Sequence, residues 1–264
     1  MKITVIGVGK MGGAIAKTAL SKKNRVCVCD SDRAKMKQYV RMGALFESEP
    51  KAAAKRSDMV IIAVKPKHVS ELLGSIRTEC SEKIVLSIAA GIRTKTLASM
   101  LGKTTRIARA IPNLPLMVGA GVTSYCLGRG ATKKDEQNLV GLFARPGECV
   151  RMKEDLMDAA TVVGSSGPAF FAMVIEAMAS SGAKQGLPRA DALKLAAGAC
   201  VGAGKMVLEA KKEPVEFAGM VATPGGITAE GLESLAKAGV WKAFGKAVSR
   251  AVKKSKAIGK AKGK

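Results

Sequence analysis

The sequence predicts a doubly wound α/β domain with a mostly parallel sheet over residues 1–153, followed by an all-α domain over 154–264. Three observations carry this. Apolar runs of strand length at 2–7, 59–64 and 83–89 are continuous rather than alternating, as expected of strands covered on both faces. These runs alternate with helical stretches, the order that builds a parallel sheet. From Asp155 onward strand signals stop and alanine-rich helical patterning takes over.

The elements follow in order. Residues 2–7 (KITVIG) read as a buried strand, 10–22 as a helix and 25–30 (RVCVCD) as a second strand. Residues 31–43 suit a helix opened by Ser31 or Asp32 and closed by Gly43. The runs 59–64 (MVIIAV) and 83–89 (KIVLSIA) each precede a turn signal, and 106–110, 121–127 and 148–152 are further strand candidates. In the second domain Phe170, Val174, Ala177, Met178 and Ser181 share one helical face, and 189–210 and 229–252 repeat the pattern with small-residue faces. A helical domain with so little aromatic bulk is expected to complete its core against a second subunit, as a homodimer or larger assembly.

Composition narrows the function classes. The 264 residues are 47% apolar but only 3% aromatic, so the interior is mainly aliphatic, alanine and methionine. The six cysteines (Cys27, Cys29, Cys80, Cys126, Cys149, Cys200) form no C-x-x-C pair and read as reduced core thiols of a cytoplasmic protein. Met1-Lys2 leads straight into a strand-like run rather than a signal peptide, and no apolar stretch reaches transmembrane length. The only histidine, His68, reads as an exposed polar residue, and a histidine-rich metal site is excluded. The net charge is +23, and six of the last twelve residues are lysines. The block 253–264 reads as a solvated or disordered tail; without interleaved aromatics it is poor material for nucleic-acid binding.

Gly7-Val-Gly9-Lys-Met-Gly12 fits G-x-G-x-x-G between a strand and a helix, which marks the α/β domain as a dinucleotide-binding Rossmann domain. Gly7 permits the tight turn, Gly9 the approach of pyrophosphate, and Gly12 close packing of helix on strand. Asp30, at the end of the second strand, suits a ribose-binding acid and favours NADH, whereas Ser31 and Arg33 beside it suit the 2′-phosphate of NADPH. Asp30 also suits a helix N-cap. Ala63-Val64-Lys65-Pro66 and Ala89-Ala90-Gly91 close strands, where ligands of open α/β sheets lie. Near the far end, Thr223-Pro-Gly-Gly-Ile-Thr228 precedes a helical run, and its glycines let backbone N–H groups approach an anion.

On these residues the chain resembles the pyrroline-5-carboxylate reductase family. The matching segments are GVGKMG (7–12), AVKP (63–66), SIAAGI (87–92), RAIPN (109–113), SSGPAF (165–170), GLPRADALKLA (186–196) and VATPGGIT (221–228). The first is shared by many reductases; the last is specific. The resemblance implies reduction of the C=N bond of 1-pyrroline-5-carboxylate to L-proline with NAD(P)H. It implies cofactor contacts at Gly7, Val8, Gly9, Lys10, Met11, Gly12, Ala63, Val64, Lys65, Pro66, Ile88, Ala89, Ala90 and Asn113. It implies substrate contacts at Glu154, Ser166, Gly167, Gly226, Ile227 and Thr228, and a homodimer through the helical domain. Of these, Thr228 reads as the one catalytic side chain, its hydroxyl orienting the ring nitrogen by a hydrogen bond.

The chain departs from the family pattern at Leu114, Phe170, Gly198, Ala199 and Met220, and Gly164-Ser165-Ser166-Gly167 stands in place of Ser-Gly-Ser-Gly. Hydride addition to a protonated imine needs neither general base nor nucleophile, which suits a chain without a Cys–His pair. Two other readings stay open. One is a related imine or β-hydroxyacid reductase, with Lys205 as the late lysine. The other is a dinucleotide-sensing or nucleic-acid-binding protein using the basic tail. Thr228 itself reads either as a substrate contact or as a helix N-cap.

Overall fold

The computed structural model describes residues 1–144 and 147–261. Two compact units emerge: Met1–Ser166 with the chain from Ala251 onward, and Gly167–Arg250. The first begins with β1 (Lys2–Ile6), α1 (Lys10–Ser21), β2 (Arg25–Cys29), α2 (Arg33–Arg41) and the two-residue strand β3 (Leu45–Phe46). Then come α3 (Pro50–Lys55), β4 (Met59–Ile62), α4 (Val69–Ser75), β5 (Ile84–Ser87) and α5 (Thr94–Met100). It continues with β6 (Arg106–Pro112), β7 (Gly121–Leu127), α6 (Lys133–Phe143), β8 (Gly147–Arg151) and α7 (Met157–Ala160). The eight strands form one sheet in the order β3-β2-β1-β4-β5-β6-β7-β8, parallel throughout except between β6 and β7. The predicted doubly wound, mostly parallel sheet is therefore present. Its order reverses between β1 and β4, the position where such sheets open a ligand crevice.

The apolar runs bury both faces, as their lack of alternation requires. One face gathers Ile3, Val5, Ile61, Leu86 and Phe143; the other gathers Ile6, Val60, Ile62, Leu73 and Val85. Cys27, Cys29, Cys80 and Cys126 are buried in this unit as free thiols. Burial pushes Cys27 and Cys126 up to about 11 and Cys29 and Cys80 up to about 12.

The second unit is helical: α8 (Gly167–Lys184), α9 (Arg189–Leu208), α10 (Pro214–Val221), α11 (Ile227–Lys237) and the first half of α12 (Val240–Ala261). Its buried apolar cluster is small, with Ala179, Ala192 and Ala196 against Ile175. Of the face expected around Phe170, that residue and Val174 are half-buried, whereas Ala177, Met178 and Ser181 are exposed.

Several expectations are corrected. Residues 229–252 are not one helix: α11 ends before Gly239, whose φ of 72° turns the chain into α12. Residues 253–261, expected as a tail, continue α12; 262–264 lie outside the described residues. The continuous helical stretch Glu154–Lys184 is, by length and composition, apolar enough to cross a membrane, contrary to the sequence reading. Glu154, Asp155, Asp158 and Glu176 interrupt the run, so the sequence shows no unbroken apolar stretch there. A π-helical turn over Thr161–Ser166 joins α7 to α8.

Candidate functional site

The turn after β1 is built by backbone crowding. Gly7 adopts φ of 95°, and a Cβ there would lie 2.8 Å from the Ala63 carbonyl. A Cβ on Gly12 would lie 1.9 Å from the Gly7 carbonyl oxygen, so α1 presses directly onto the turn. Gly9 faces open space and is the N-cap of α1. The first N–H groups of α1 have no intrahelical acceptor and point at whatever lies above Gly9. A cavity of about 610 Å³ opens here, bounded by Gly7, Gly9, Asp30, Ala63, Val64 and Lys65. An open glycine, free helix amides and a strand-end crevice fit a dinucleotide pyrophosphate.

Val8 and Lys10 border a second cavity on the α1 side, with Lys17 and Tyr39. Met11, Pro66 and Ile88 are half-buried, Ala89 is buried and Ala90 is exposed. Ile88 N–H still bonds Ile62 O at 3.0 Å, and Ala89 N–H bonds Ser87 Oγ at 3.3 Å, so β5 runs in order into this loop.

Asp30 is more engaged than a free ribose ligand. Its Oδ2 accepts from Val8 N at 2.8 Å and its Oδ1 from Asp32 N at 2.9 Å, with Lys35 Nζ at 4.0 Å. The cap of α2 is Asp32, which accepts from Ala34 N, rather than Asp30. Asp30 thereby ties the end of β2 to the glycine turn.

Asn113 is buried at the end of β6, its amide already spanned between two backbones. Nδ2 donates to Gly164 O and Oδ1 accepts from Val122 N, each at 2.9 Å. It holds the π-helical turn that carries Ser165 and Ser166. A Cβ on Gly164 would lie 3.3 Å from Val122 Cγ1, a tight contact that a shift of a few tenths of an ångström in that side chain would relieve. Ser166 closes the first unit and the buried Gly167 opens the second.

In the helical unit Thr223 O accepts from Gly226 N at 2.9 Å, closing a turn in which Gly225 has φ of 69°. Gly226, not Thr228, is the N-cap of α11, so the capping role of Thr228 is not realised. Thr228 is the second residue of the helix, half-buried, next to the exposed Ile227. The Gly226 N–H is spent on the turn, which leaves the amides of Ile227 and Thr228 as free first-turn donors. Lys205 lies on exposed α9 and faces Glu209 across one turn at 3.9 Å, an ordinary surface pair.

Glu154 is held inside the first unit. Its carboxylate accepts from Thr94 N at 2.7 Å and Thr94 Oγ1 at 2.6 Å, and Arg109 Nη1 lies 3.7 Å away. Arg109 and Thr94 were not singled out from sequence. The signal for Arg109 is a charge at the centre of the strand run RIARAIP, flanked on both sides by alanine.

Comparison with known proteins adds the family. Residues 154–258 match the pyrroline-5-carboxylate reductase dimerisation family, and residues 2–91 match the family of coenzyme F420-dependent NADP oxidoreductases. The pyrroline-5-carboxylate reductase of Methanosarcina acetivorans is 37% identical, over 98% of each chain. The chain belongs to the pyrroline-5-carboxylate reductase family. The Aquifex aeolicus reductase is 32% identical, over 98% of this chain and 97% of its own. Among solved structures, the Coxiella burnetii pyrroline-5-carboxylate reductase superposes with a TM-score of 0.91 at 28% identity, over 97% of both chains. The Plasmodium falciparum reductase with NADP bound superposes at 0.87 and 29%, over 98% of both. An Aspergillus terreus reductive aminase shares the fold at a TM-score of 0.59 and 22% identity. The dimerisation match covers the helices whose apolar residues are exposed in one chain, the stretch Glu154–Lys184 among them.

Proposed function

We propose that this chain performs the last step of proline biosynthesis, reducing 1-pyrroline-5-carboxylate to L-proline with a hydride from NADH or NADPH. Near full-length membership in the reductase family carries the reading. When bound, the dinucleotide supplies the hydride. The protein binds, orients and excludes water. Gly7–Gly12, Ala63–Pro66 and Ile88–Ala90 hold the dinucleotide. The free amides at Ile227 and Thr228 hold the substrate carboxylate. The Thr228 hydroxyl hydrogen-bonds the ring nitrogen. Both dinucleotides are accepted, because the Asp30 charge is shared among two amides and Lys35 while Ser31 and Arg33 remain exposed. We take residue 154, where the dimerisation match begins, as the functional boundary between domains. The working form is a cytoplasmic homodimer or an assembly of dimers.

The test is dinucleotide oxidation with the imine, run beside candidate keto acids. Turnover with a keto acid and none with the imine would sink the reading. Thr228→Ala is expected to lower kcat/KM by well over about threefold with folding intact, and a smaller loss removes Thr228 from the chemistry.

A further inference from the structure

We infer that Arg109 is a positioning residue for hydride transfer, acting through Glu154 on the loop between β5 and α5. This rests on the reductase reading, in which that loop carries Ile88, Ala89 and Ala90.

Arg109 is 3% exposed, a cation in the buried middle of β6, where every residue after the half-buried Arg106 is shielded from solvent. Its Nε has no acceptor among the described residues. A buried guanidinium so poorly satisfied is expensive, and it persists only where a countercharge holds it. Glu154 is that countercharge. Both Glu154 oxygens are in turn bound by Thr94, the first residue of α5, whose N-cap Arg93 supplies no capping side chain. The neighbouring pair repeats the contact, Arg93 Nη1 donating to Asp155 Oδ1 at 3.1 Å.

Ser87, the last residue of β5 and the register partner of Arg109, holds the other end through its own side chain: Ser87 Oγ accepts from Ala89 N. The loop is therefore gripped by Ser87 where it leaves the sheet and by Glu154, with Arg109 as its countercharge, where it enters α5. Between the grips the chain turns at Gly91, and Ala90 is exposed. A loop clamped at both ends fixes the surface against which a reacting ring would lie.

The full-length enzyme tests this with Arg109→Met, Glu154→Gln and the double variant. Each single change is expected to lower kcat by roughly 10–100-fold, the cost of a misplacement near 1 Å. The dissociation constant of the dinucleotide shifts less than about threefold, because of the three segments that hold it Gly7–Gly12 and Ala63–Pro66 are untouched and only Ile88–Ala90 is loosened. The double variant falls no further than the worse single one by more than about twofold, since both cut one path. Amide exchange of the segment 88–94 accelerates in all three, because the Thr94 N–H loses its acceptor or that acceptor loses its anchor. Losses that multiply, or exchange that stays at the wild-type rate, overturn the proposal. Should Arg109→Met not fold, Arg109→Lys and Thr94→Val carry the same comparison, each weakening one link. Wild-type turnover of the imine separates the two failures: its absence rejects the reductase reading, while the exchange data still judge the clamp.

Discussion

The two units solve the burial problem in opposite ways. The sheet unit closes its own core: Ile61, Leu86 and Phe143 are fully shielded within one chain. The helical unit buries three alanines and leaves Leu195 62% and Leu208 70% exposed. Apolar residues thus yield a self-sufficient fold in one region and an unfinished one in the other. The difference lies in connectivity. A parallel sheet covers both its faces with its own crossover helices. Helices faced with Ala and Gly lack the bulk to fill a core within one copy, and the match to a dimerisation family names a second copy as the remainder.

The strongest way to break this contrast is at α9. Val201 and Leu208, seven residues apart on one helical face, are both exposed in a single chain. Changing both to Glu is expected to convert the assembly to monomers by analytical ultracentrifugation and to abolish imine reduction. Retention of the native mass would show that the completing surface lies elsewhere. In the sheet unit, Leu86→Ala is expected to remove about 2–5 kcal/mol of stability in denaturant titration while the assembly mass stays unchanged. The smallest effect sharpens the comparison at a polar seam. Asp135 is buried and bound by Arg106 Nε at 2.8 Å and by Thr132 through a capping box. Burial pushes its carboxyl up, but the bonds from Arg106 and Thr132 outweigh that and hold it below the usual carboxylate value. A native value below the unfolded one stabilises at neutral pH, an advantage lost as pH falls through the native value. Asp135→Asn is therefore expected to cost about 1–3 kcal/mol at neutral pH, and its deficit to shrink in acid melts.

Much of the sheet was legible because continuous apolar runs and the glycine turn obey strong steric rules. The strand β3 was not, since its two exposed residues carry no pattern. The break at Gly239 was hidden inside a stretch whose side chains repeat smoothly on both sides of it. At the candidate site, residue types were readable and their bonding was not. Asp30 reads as a ribose acid by position, yet its oxygens turn back to Val8 and Asp32. Glu154 reads as a substrate contact by resemblance, yet it grips Thr94, sixty positions away in sequence. Such pairings depend on register between strands, which local pattern does not encode.

The buried thiols have a consequence for the environments this enzyme tolerates. With values near 11 to 12 for Cys27, Cys29, Cys80 and Cys126, only about one thiol in ten thousand or fewer is ionised at neutral pH. Peroxide attacks the thiolate, and so do alkylating reagents. These four cysteines are therefore expected to survive oxidative stress unmodified for as long as the sheet stays folded.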